Sequence, residues 1–217
     1  MKKIIILLIS LNLSFVSYAQ EKLTEGIVLS KQTMSSDNEQ MNGQFAMMGN
    51  IVTTTYFKED KTRNELSNPM SGDVVTITDG KSKKVLALIN NPMVGKKYMM
   101  SSTEISENDL KNLVVKKGQD IKTVLGYKCE QYFIEITKDG QPMKIEVFTT
   151  KDISAFSQHT AGFADKVQGF PLYFTTSMNQ MGSTITINNE VTEIKKVTVS
   201  SDKFDMTLPE GYEEMRY

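Results

Sequence analysis

The chain is poor in the residues that most familiar active sites require. Its 217 residues contain no Trp, one Cys and one His, and only two of its 25 cations are Arg, Arg63 and Arg216. A lone Cys forbids an intramolecular disulfide or a redox pair, and a lone His forbids any site built on two imidazoles. Scarce Arg leaves bidentate phosphate recognition poorly supplied. A formal net charge of −1 removes the broad positive field of a nucleic-acid binder. Among catalytic constellations, His159 could be paired only with Ser157 and either Asp152 or Asp165. Ser157 and His159 fall on different faces of a helix, and no Gly-x-Ser-x-Gly elbow exists. No phosphate loop, EF-hand or other metal-ligand spacing is present. The sequence therefore points to a non-enzymatic protein with no cofactor.

What is present begins with a leader. Met1-Lys2-Lys3 is followed by an apolar run, Ile4–Leu13, and by Ser17-Tyr18-Ala19 before Gln20. This is the pattern of a signal peptide over residues 1–19, cut before Gln20. The run is too short for a comfortable membrane span, and no other segment reaches the length of one. With Gln20 rather than Cys after the cut, no lipid anchor is expected. The expected product is soluble and exported, periplasmic or released.

Residues 20–217 are expected to form one β-rich domain. Short runs rich in β-branched and aromatic residues alternate with Gly, Asn, Asp and Pro. Strands are predicted at 25–33, 51–58, 63–67, 73–78, 83–89, 97–102, 119–125, 127–137, 142–149, 172–177 and 183–200. Thr78-Asp79-Gly80-Lys81 and Lys138-Asp139-Gly140-Gln141 read as hairpin turns in which Gly takes a positive φ. Polar–apolar alternation, as in Lys144-Ile145-Glu146-Val147, indicates antiparallel sheet with one wet face. Ser106 is expected to cap a short helix carrying Leu110, Leu113 and Val114, and Asp152 a second carrying Ile153, Phe156 and Phe163. The polar stretch 35–50 reads as a long loop.

Three stretches carry a family resemblance: Val124-Leu125-Gly126-Tyr127-Lys128-Cys129-Glu130, Gly169-Phe170-Pro171-Leu172, and Phe204-Asp205-Met206-Thr207-Leu208-Pro209-Glu210-Gly211-Tyr212. Their order and spacing resemble the exported bacterial proteins grouped as domain of unknown function 4412. That family in turn resembles the periplasmic lipoprotein-carrier (LolA-like) superfamily. The resemblance implies a curved antiparallel sheet, a half-barrel, with short helices on its concave face around an apolar cavity. It implies no catalytic residues. On the residues alone these motifs are architectural: Gly126 a bend between strands, Pro171 the start of an edge strand.

Methionine is abundant, at 14. Three readings stay open: soft copper(I) ligation, an adaptable apolar surface, or ordinary core filling. The surface reading makes Phe45, Met47, Met48, Met99, Met100, Phe156 and Phe163 candidates for the lining or lid of a hydrophobic-ligand site. The expected partner is then a hydrophobic small molecule, a lipid or an acylated protein. The competing expectation is an envelope protein-interaction module whose core is filled by its own side chains.

Overall fold

The computed structural model describes residues 22–215 apart from 69–71, 105, 139–140, 164 and 181. The leader and the Asp139-Gly140 turn lie outside the described residues. Twelve strands form one sheet: β1 Glu25–Ser36, β2 Ile51–Lys58, β3 Lys61–Asn68, β4 Gly72–Asp79, β5 Lys84–Asn91, β6 Gly95–Ser102, β7 Val114–Val124, β8 Tyr127–Lys138, β9 Gln141–Thr150, β10 Phe170–Gln180, β11 Ser183–Lys195 and β12 Glu213–Glu214. Among the described residues three short α-helices accompany them: α1 Glu39–Met48, α2 Glu107–Lys111 and α3 Gln158–Ala161. The strand order is β12-β6-β5-β4-β3-β2-β1-β11-β10-β9-β8-β7, antiparallel throughout except where β12 joins β6. Two meanders thus meet where β1 pairs with β11.

The connection from β6 to β7 dictates curvature. These strands are ten steps apart in the sheet, about 48 Å along its surface. The eleven connecting residues, Thr103–Leu113, include the five of α2 and reach only about 30 Å. A flat sheet could not be so joined, and the sheet is curved and unclosed. The connection runs as a chord, so the face it packs against is the concave one. Leu113 is buried there with Tyr132, Ile134, Val147, Phe163 and Val167.

The convex face is crossed by the C-terminal segment. After β11 the chain leaves the sheet and a 3-10 turn, Ser201–Phe204, packs on β3 and β4 with Phe204 buried. Lys203 lies 4.4 Å from the Tyr56 ring, and the segment ends by pairing Glu213 with Lys97. Residues 196–200, expected as strand, are instead the start of this strap.

Several local expectations change. Residues 39–48 form a helix rather than a loop, because the Asn38 side chain accepts from the Gln40 and Met41 amides and caps it. Val114 belongs to β7, so α2 is a single turn. Asp152 caps no described helix: 151–157 is not helical, Ile153 forms a bridge with Leu23, and Ser157 caps α3. Pro171 lies in an interior strand, tolerated because it sits at a bulge between β9 and β10. Gly126 follows Leu125 with both at positive φ, closing a two-residue β7–β8 hairpin.

Gly80 is needed for space and not for its φ, since Lys83 carries the positive φ of that turn. A Cβ on Gly80 would sit 2.4 Å from Cδ2 of Phe156. Gly80→Ala is therefore expected to displace the Phe156 ring and cost about 1–3 kcal/mol, read as a lowered melting temperature. The double variant Gly80→Ala/Phe156→Ala should recover part of the loss if that contact is its source.

Candidate functional site

Residues opposite one another in antiparallel strands share a face, so the register assigns the concave lining row by row. One row runs Ile134–Ile145–Thr176–Ile187–Met34, and the next Met143–Met178–Ile185. Toward the other end lie Val28–Thr55–Asn64–Thr76–Ala87–Met99 and then Phe57–Thr62–Thr78–Val85. In β1–β5 and β9–β11 every charged residue falls on the convex face, among them Lys31, Arg63, Glu65, Asp73, Glu146 and Glu190. Met34, Met99, Met143, Met178 and Ile187 are half-buried, neither sealed nor fully solvated. Over these eight strands the concave side is thus an uncharged trough, apolar at one end and grading to Ser, Thr and Asn at the other. On the flanking strands Lys97 of β6, Lys117 of β7 and Glu130 of β8 share that face.

The segment 151–169 closes the polar end. Its Phe156 N–H donates to the Glu59 carbonyl at 3.0 Å, and Ser154 N–H to that of Leu23 at 2.9 Å. Beneath Phe156–His159 a hollow of about 30 Å³ is bounded by Val28, Ser30, Thr62, Asn64, Phe174 and Asn189. Outside the segment lies a polar cleft of about 720 Å³ lined by Lys22, Glu59, Asp60, Lys151 and Asp165. Phe156 borders both spaces.

The remaining chemistry-bearing groups are structurally engaged. His159 is exposed, its ring centroid 4.9 Å from that of Phe174. The Ser157 hydroxyl accepts from the His159 backbone amide. Cys129 is fully buried in the cluster around Phe57, and burial pushes its thiol up to about 11, far from a reactive thiolate. Among the described residues no group of three or more His, Cys, Asp or Glu could hold a metal.

With this geometry in place, comparison with known proteins gives the lineage. The profile of the domain of unknown function DUF4412 matches residues 33–212. The chain belongs to the DUF4412 family. No curated protein matches it. Among solved structures, PNGF-II superimposes with a TM-score of 0.52 at 16% identity, over 88% of this chain. The chain spans 31% of the length of that structure, and the likeness is one of fold. The Mycobacterium tuberculosis lipoprotein LppX matches at a TM-score of 0.33 and 8% identity, over 76% of this chain and 85% of its own.

The structure disperses the residues that sequence reasoning nominated for this DUF4412 protein. Phe45, Met47 and Met48 lie on α1, which packs beside β1, and Met47 is 85% exposed. Met99 faces the trough, but strand alternation turns its neighbour Met100 to the convex face, where it is exposed. Phe163 is core beneath the chord, and Phe156 borders the hollow. The trough residues that went unnamed, Met34, Met143, Met178, Ile185 and Ile187, gave only a period-two signal. Which of them face one another depends on pairings up to about 150 positions apart in the chain, such as Met34 with Ile187. Among the described residues, no helix is long and apolar enough to cross a membrane.

Proposed function

We propose that this DUF4412 protein is an exported, non-enzymatic binder or carrier of a hydrophobic molecule, held in the concave trough. The observation that carries the reading is the segregation of charge: eight strands send every charged side chain outward and leave a half-buried lining of Met, Ile, Val, Thr and Asn. Such a surface gains about 25 cal/mol for each Å² of apolar area removed from water. Unbranched Met at four of its positions can repack around differing chains. Binding would be sequestration, with the 151–169 segment as a plug over one end.

Native mass spectrometry of the protein purified from a bacterial envelope tests this. The reading expects an apolar adduct, lost on organic extraction, and enhanced fluorescence of a neutral apolar dye by the extracted protein. A bare protein that leaves the dye dark contradicts it.

A further inference from the structure

Two buried hydroxyls in the polar end of the trough have no hydrogen-bond partner among the described residues. Thr62 is 2% exposed and Thr78 0%, they are direct cross-strand neighbours, and Thr62 borders the hollow under Phe156. An orphaned buried hydroxyl costs about 1–3 kcal/mol, so its presence beside a cavity points to something that completes it. The same hollow presents Ser30 and Asn189, both buried, together with Asn64; no Asp, Glu, Lys or Arg borders it, and His159 is its one titratable neighbour. An anionic head placed here would lose its water without gaining a fixed counter-charge. A neutral hydroxyl or amide would find donors and acceptors already in place.

We infer that the hollow beneath Phe156–His159 is the subsite for an uncharged, hydrogen-bonding head group, whose apolar chain lies along the trough toward Met178 and Met143. This rests on the hydrophobic-ligand reading above and names the ligand class: an amphiphile with a neutral polar head. The hollow alone has room for about one water. Phe156 borders both the hollow and the 720 Å³ outer cleft, so the head reaches its partners when that ring swings out toward the cleft and the hollow enlarges.

The test titrates the full exported chain with 1-monomyristoylglycerol and with myristate, equal in chain length and different in head charge, following displacement of a neutral apolar dye. The diol-headed probe is expected to bind at least about tenfold more tightly. Thr62→Val removes an orphaned hydroxyl while keeping shape, so its melting temperature should hold or rise. In that variant the preference should shrink to about threefold or less, with myristate affinity unchanged. Equal binding of the two probes, or a preference for myristate, overturns the head-group assignment and leaves hydrophobic binding standing. Failure of both probes overturns both. A Thr62→Val variant as selective as the parent shows that the hydroxyl holds a water only, which also overturns the assignment.

Discussion

Replacing Phe57 by alanine is expected to remove about 3–5 kcal/mol of stability, a large share of the roughly 5–15 kcal/mol that holds a typical domain together. Phe57 is fully buried at the junction of the two meanders, its ring 5.7 Å from that of Phe170 and within the cluster of Val28, Cys129, Ile153 and Leu172. The site cannot collapse easily. Gly26 lies opposite on β1, and even a Cβ there would stand 3.1 Å from the Phe57 ring. The backbone around the ring is paired on both sides, so truncation leaves a cavity and not a closed gap. Urea unfolding of parent and variant at equal concentration measures the difference. A loss under about 1 kcal/mol would mean that this junction is not the packed centre described.

The second large effect is on binding. Ile187→Asp places a carboxylate in the middle of the apolar row, between Met34 on β1 and Thr176 on β10. Because Ile187 is half-buried rather than sealed, the folded chain can hydrate the new charge and remain stable. A ligand chain lying on the row would have to dehydrate it, which is expected to weaken apolar-probe binding on the order of 100-fold. Met100→Asp is the matched control: the same charge on β6, on the convex face at 51% exposure, with an expected change under about twofold. Dye displacement on both variants reads the contrast, and circular dichroism checks that each is folded. Equal effects from the two substitutions would dissociate binding from the trough.

The strands were legible because their signal is local. β2 Ile51–Lys58 and β8 Tyr127–Lys138 match their β-branched and aromatic runs almost residue for residue. β12 was invisible: two glutamates, Glu213 and Glu214, carry no alternation and become strand only because Lys97 and Tyr98 lie alongside. α1 was hidden by its Asn, Gln and Met composition, although Asn38 followed by Glu39 was a capping signal in plain view. The trough was half legible. Alternation could show that Met99 and Met100 part company, but not which of them joins Met34, because that follows from a register carried through five intervening pairings. The hollow under Phe156 was beyond local reading altogether, since it is made by a loop folding onto strands from both ends of the chain.

Photolabelling decides the central claim most directly. A neutral acylglycerol bearing a diazirine midway along its chain is bound to the folded protein, activated, and its adducts are located by peptide mass spectrometry. The account predicts adducts concentrated on concave residues of β1, β9, β10 and β11, at or beside Met34, Met143, Met178 and Ile187, and abolished by excess unlabelled ligand. Adducts distributed by exposure, dominated by Met93 at 89% and Met47 at 85% exposed and unaffected by competitor, would contradict it.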